Sequence, residues 1–148
     1  MKIIKAGIKH INELTELFDL YRQFYKKTSD KDSAKIFLKE RIKRNESAIF
    51  LCLDEDGNAI GFTQLYPYFT SVGMKRAWIL NDMYVRKESR KLGAGEKLME
   101  SVRKFAVKTG SGFVMLETHK TNKKASKLYE KMGFKPDRER RYYYLEIK

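Results

Sequence analysis

The sequence predicts an α/β fold, layered as α/β or α+β, in a single domain spanning residues 1–148. Three observations lead there. Apolar residues recur at helical spacing in some segments and form short strand-like runs in others. The two kinds interleave as strand, two helices, three strands, helix, strand, helix, strand, an order that one layered domain satisfies. The composition, 42% hydrophobic and 13% aromatic over 148 residues, is that of a globular chain long enough to bury one core.

Residues 2–6, KIIKA, read as a short first strand. From Ile11, the positions Leu14, Leu17, Phe18, Tyr21, Phe24 and Tyr25 follow a helical period. A second helix starts near Asp30 or Asp32, either able to accept free N-terminal amides, and turns Ala34, Phe37, Leu38 and Ile42 inward. SAIFLCL, DEDGN and AIGFTQLYP form a hairpin around a Gly- and Asp-rich turn. PYFTSVGMKR is the longest loop candidate, and AWILNDMYV a third long strand, apolar except for Asn81 and Asp82. Beyond two glycines, Leu98, Val102, Phe105 and Ala106 line one helix face, with Lys97, Glu100, Arg103, Lys104 and Lys108 outside. GFVMLET is a buried strand. Asn122 to Met132 is a helix with Ala125, Leu128, Tyr129 and Met132 on its apolar face and Gly133 at its C-terminus. RRYYYLEIK alternates as a closing strand.

Several function classes drop out. No apolar run approaches the ~20 residues of a bilayer span, and MKIIKAGIKHINEL lacks the apolar stretch of a signal peptide. Cys52 is the only cysteine, so no intramolecular disulfide can form, which fits a reducing cytoplasm. One Cys and two His do not make a typical zinc site, so no metal is expected. Cys52 itself, inside AIFLCL, reads as a core thiol. The net charge of +13 should attract anions, nucleic acid included, but acidic residues are interspersed throughout and no unbroken basic tail occurs.

The chemistry concentrates in YVRKESRKLGAGEKLMESVRKF, Tyr84 to Phe105. A strand runs into a cationic arm, then Gly93-Ala94-Gly95, then a helix. Glycine lets backbone amides approach a ligand closely. The first turn of the helix adds unpaired N–H groups and the positive end of its dipole. Arg86, Lys87, Arg90 and Lys91 add formal charge, and a pyrophosphate is the natural guest. A Walker loop is absent. A dinucleotide turn fits poorly, because Leu98 stands at the third glycine and Arg86 to Leu92 separate strand from turn.

RKLGAG, Arg90 to Gly95, resembles the [RQ]-x-x-G-x-[GA] acetyl-CoA signature of the GNAT superfamily of N-acetyltransferases. NKKASKLYEKMGF, Asn122 to Phe134, resembles that family's N-x-x-A-x-x-L-Y-x-K-x-G-F element, and the order of elements agrees over nearly the whole chain. The resemblance implies a mixed, mostly antiparallel twisted sheet flanked by helices, and transfer of an acetyl group from acetyl-CoA to a primary amine of a small molecule or peptide. It places pantetheine and the acetyl carbonyl on the backbone of Met83, Tyr84 and Val85, in a strand that splays from its neighbour. Pyrophosphate falls to the amides of Lys91, Leu92, Gly93, Ala94, Gly95 and Glu96, with Arg90 as a side-chain contact.

The resemblance makes Tyr129 the proton donor to the coenzyme A thiolate, a role that a phenol of ordinary pKa near ~10 can fill at neutral pH. Asn122 would bind the cofactor's amide arm, though its position also suits a helix N-cap. Many relatives carry Glu where Asn81 stands, so the most familiar base is missing. Strand alternation puts Asn81 and Asp82 on opposite faces. Asp82 is then the carboxylate available to attract or deprotonate the amine, with Glu117 in reserve. Tyr21, Tyr25, Gln64 and Asn81 belong to the clusters YRQFY, QLYP and WILND, which resemble the acceptor pockets of polyamine- and histone-type members. Many relatives dimerise, and the tyrosine-rich last strand could pair. The competing readings are a non-catalytic acyl-CoA binder, against which Tyr129 argues, and a nucleic-acid binder, for which no recognition motif is present.

Overall fold

The computed structural model describes residues 1–148 as two compact units, Met1–Glu117 and Thr118–Lys148. The first holds a five-stranded sheet in the order β1-β2-β3-β4-β5. Its strands are β1 (Lys2–Lys5), β2 (Ala48–Leu53), β3 (Ala59–Thr70), β4 (Lys75–Val85) and β5 (Val114–Met115). The pairs from β1 to β4 are antiparallel, and β4 with β5 is parallel. Helices α1 (Ile11–Phe24), α2 (Lys31–Lys43) and α3 (Ala94–Lys108) complete the unit.

Apolar periodicity decides which faces pack. Leu14, Leu17 and Phe18 of α1 join Ala34 and Leu38 of α2 over Ile49, Leu51 and Phe62 of the sheet. Phe105 of α3 lies on the other face, its ring 5.4 Å from Phe50 and 5.0 Å from Trp78. Asp30 caps α2 by accepting the Ser33 N–H at 3.1 Å, as its position ahead of the apolar repeat predicts.

Three expectations change. PYFTSVGMKR is not a loop: β3 continues to Thr70, and Pro67, Tyr68 and Phe69 pair with Trp78, Ala77 and Arg76 of β4. Pro67 is tolerated because the β2 ladder ends at Leu65, so β3 is paired on one side beyond that point. GFVMLET contributes only Val114 and Met115 to the sheet. RRYYYLEIK is not assigned as a strand. Its own unit, 118–148, has a single regular element, α4 (Lys123–Lys131), and alternation defines a face without supplying a ladder partner. No helix is long and apolar enough to cross a membrane.

Candidate functional site

The β4–β5 ladder covers only Trp78 and Ile79. Farther along β4, Met83, Tyr84 and Val85 pair with Thr63, Phe62 and Gly61 of β3 and have no β5 partner opposite. One edge of the strand is therefore open just before the glycine turn. Gly61 allows this close approach: a Cβ there would lie 2.9 Å from the Tyr84 carbonyl oxygen and 3.2 Å from Val85 Cγ2. Gly61 was not singled out from the sequence, although a lone glycine inside a strand run is the signal for such an approach.

The helix starts between the two glycines rather than after them. Gly93 is its N-cap in the left-handed region, φ +87°, and Lys91 also has positive φ, +66°. Lys97 donates to the Gly93 carbonyl at 3.1 Å. The amides of Ala94 and Gly95 thus precede the helical ladder, with no side chain capping them. That arrangement suits an anion carried by an extended polar chain, and the open β4 edge lies directly ahead of it in sequence. No group of three or more His, Cys, Asp or Glu side chains could hold a metal ion.

The cationic arm is less free than its charge suggests. Arg86 donates through Nε to the Ala59 carbonyl at 3.0 Å and pairs with Glu16 at 3.3 Å, tying β4 to β3 and α1. Arg90 donates to the Val85 carbonyl at 2.9 Å, its guanidinium 5.5 Å from the Tyr84 ring and 5.8 Å from the Phe24 ring. Arg90 thereby folds the loop back against the end of β4.

The second feature is an irregularity in β4. Gln64 pairs with Asp82 but Leu65 pairs with Leu80, leaving Asn81 as an extra residue in a β-bulge. The expectation that Asn81 and Asp82 face oppositely fails here. A bulged residue does not keep the alternation, and Asn81 Nδ2 donates to Asp82 Oδ1 at 3.0 Å. Asp82 is 4% exposed. Gln64 Nε2 donates to its Oδ2 at 2.5 Å, the Tyr21 hydroxyl bonds to the same carboxylate, and Thr63 Oγ1 donates to its backbone carbonyl at 2.9 Å. None of these partners is cationic. Burial pushes the Asp82 carboxyl above its ordinary range, and the bonds from Gln64, Asn81 and Tyr21 only partly oppose this. An internal ion pair does not explain the residue.

Around it stand aromatic rings. Tyr21 lies 5.9 Å from Phe62 and 5.2 Å from Tyr25, which is half exposed. Tyr66, within QLYP, is a neighbour of Asp82 that the sequence clusters do not single out. Its hydroxyl pKa is raised, by burial and then by the Asp82 charge, against the pull of Arg41. Gln64, chosen as an acceptor contact, is completely buried. Asn81 is exposed, and Glu117 ends the first unit beyond β5.

In the second unit Tyr129 is on α4, its ring 6.1 Å from Phe134. Asn122 occupies the N-cap position of α4 without a side-chain capping bond, and Gly133 follows the helix at φ +97°.

Comparison with known proteins gives consistent results. The family model for the Acetyltransferase (GNAT) family matches residues 14–134. An uncharacterized N-acetyltransferase of Bacillus subtilis (strain 168) is 42% identical over 137 residues, covering 93% of this chain and 91% of that protein. A D-amino-acid N-acetyltransferase of Saccharomyces cerevisiae is 36% identical over 84 residues, 57% of this chain and 52% of that protein. The crystal structure of a probable acetyltransferase superposes with a TM-score of 0.95 at 40% identity, covering 100% of this chain and 99% of that one.

Proposed function

Because the chain belongs to the GNAT acetyltransferase family, we propose that it transfers an acetyl group from acetyl-CoA to a primary amine of a small molecule or peptide. One observation carries this reading: the open edge of β4 runs into the left-handed Gly93 turn and the start of α3. Strand-edge N–H and C=O groups suit the amides of pantetheine, and the amides from Lys91 to Glu96 suit its pyrophosphate. Arg90, whose Nε donates to the Val85 carbonyl, keeps the rest of its exposed guanidinium as a side-chain contact for the pyrophosphate.

Asp82 is the acceptor-side group of this reading. A buried carboxylate with only neutral partners attracts an ammonium and, with its raised proton affinity, is suited to take a proton from it. The neutral amine then attacks the thioester carbonyl, and the C–S bond breaks. Tyr129 donates the proton that leaves with the thiol and regains one, through water, from the nitrogen as the amide forms; its support is the motif around it. Tyr21, Tyr25 and Asn81 line the acceptor's approach, Asn122 holds the amide arm, and Glu117 is the reserve base. The whole chain acts as one catalytic domain. The D-amino-acid activity named for the yeast relative makes amino acids a first acceptor class to try.

The test is a screen of amino acids, polyamines, aminoglycosides and peptides with acetyl-CoA, following free thiol release. Acceptor-dependent release supports the reading. Coenzyme A binding without any acceptor-dependent release across the screen would favour a non-catalytic binder.

A further inference from the structure

The bulge leaves one buried atom unaccounted for. Gln64 is 0% exposed, and its Oε1 has no hydrogen-bond partner. A buried amide oxygen left bare costs about 1–3 kcal/mol, so a native site that keeps one calls for an explanation. The other end of the same amide meets Asp82 Oδ2 at 2.5 Å. That separation is short for an N–H donor, for which roughly 2.7–3.2 Å is usual, and falls within the roughly 2.5–3.0 Å of O–H donors. The oxygen and nitrogen of an amide have nearly the same shape, so a half-turn of the side-chain amide would place either against the carboxyl group.

We propose that Gln64 is a reversible positioning partner for Asp82: its Nε2 donates to the carboxylate, and after an amide flip its Oε1 accepts from the carboxylic acid. This rests on the reading of Asp82 as the acceptor-side group. When Asp82 takes a proton from R–NH3⁺, an N–H bond breaks and an O–H bond forms, giving R–NH2 and a neutral acid. The flipped amide accepts from that new O–H, so the protonated state keeps a hydrogen bond to Gln64 in place of the one the ionised state has. The proton returns to water after the acetylated product leaves.

The surroundings favour such a pair. The groups that face Asp82 are Tyr21 on α1, Tyr66 on β3 and Asn81 beside it, and the charge of Arg41 on α2 reaches Tyr66. Arg41 is already engaged by Glu40 at 3.1 Å and Glu46 at 3.2 Å. No ammonium or guanidinium pairs with Asp82 to fix it in the ionised state. Among the partners of Asp82, Gln64 is the one whose amide keeps a buried oxygen without a bond, an acceptor in reserve for the acid. Asn81 and the Tyr21 hydroxyl complete the ring from the bulge and from α1.

The test reads the full chain with coenzyme A by NMR, without turnover. Titration of the Asp82 carboxyl carbon and of the Gln64 side-chain N–H signals in the unaltered protein should show one shared midpoint. Gln64→Met removes the donor to the ionised form, so that midpoint should move to higher pH. The acidic limb of kcat/KM for the acceptor should move with it, while KM for acetyl-CoA stays unchanged. A Gln64 amide indifferent to the Asp82 titration would overturn the proposal, whether or not the variant folds. Asp82→Asn separates the two claims: full acceptor activity there would remove Asp82 from the reaction, while the shared midpoint of the unaltered protein would still decide the pairing with Gln64.

Discussion

Two aspartates are buried in this fold, and their surroundings drive them in opposite directions. Asp19 is 1% exposed, and burial alone would raise its pKa. Bonds from the Ser29 hydroxyl at 2.6 Å, the Asp30 N–H at 2.8 Å and Gln23 at 2.9 Å, with Lys31 nearby, lower it instead. Its contribution to stability is therefore present above the unfolded carboxylate pKa and is lost as pH falls through the folded value. Asp19→Ala removes the acceptor of three part-buried hydrogen bonds, and a denaturant titration should show a loss of about 1–3 kcal/mol at neutral pH that shrinks in acid. Asp82 has the reverse sign. With its folded pKa raised, the ionised form carries a penalty at pH above that value, which disappears as pH falls toward the unfolded pKa. Asp82→Asn should therefore melt no earlier than the parent at neutral pH, and the two should converge in acid. Its kcat/KM for the acceptor should nevertheless fall on the order of 10²-fold, with KM for acetyl-CoA unchanged. Tyr129→Phe keeps the ring and deletes the donor, so turnover should drop about 10²-fold with an unchanged melting temperature; full turnover with chemistry rate-limiting would return Tyr129 to a packing role.

At the scale of elements, β4 carries the site and its neighbours set its shape. Gly61→Ala drives a methyl group to 2.9 Å from the Tyr84 carbonyl, so β4 must shift at the edge assigned to the acetyl arm. A stability loss of about 1–3 kcal/mol is expected, together with weaker protection by coenzyme A. A Cβ at Gly93 would meet no atom within 4 Å, but Gly93→Val forces a β-branched residue to φ +87°. Its test is thermal: coenzyme A should no longer raise the melting temperature, whereas full protection would leave that glycine a purely structural part. The glycine turn, the helix after it and the hairpin of β2 and β3 were legible because each is encoded locally, by a period or a turn residue. The bulge was not. It is a mismatch between two strands, and neither LNDMYV nor QLYP contains it alone. The extent of β3 was hidden for a related reason: Pro67 reads as a breaker until the end of the β2 ladder shows that one side of β3 is unpaired there. The bond from Arg90 to the Val85 carbonyl is likewise invisible in RKLGAG, because it depends on how the loop folds back on β4.

Across the whole molecule, the charge of +13 acts on anything anionic that approaches. Coenzyme A should bind faster at low ionic strength, as should nucleic acid, and the two responses differ at physiological salt. Retention of nucleic acid on a filter should collapse there, because simple phosphate attraction falls steeply with salt. Coenzyme A, which the proposed site would hold also by backbone amides and a strand edge, should still stabilise the fold by about 2.7 kcal/mol at a hundred times its Kd. No shift in melting temperature at millimolar coenzyme A would remove the proposed cofactor.

The extra residue at Asn81 also changes what kind of mutation this strand can survive. Leu80 is paired with Leu65 and Asp82 with Gln64, on opposite faces of the sheet, although the two are separated by one residue. Side chains alternate strictly, so excising Asn81 would close a regular ladder with Leu80 and Asp82 still on their own sides, whereas excising a paired residue such as Met83 would send part of the strand through to the wrong side. The placement of the carboxylate is thus a matter of counting as well as of spelling. Substitutions along β4 exchange one side chain at a time, while a single-codon deletion at any paired position, unlike one at Asn81, would invert one end of the strand.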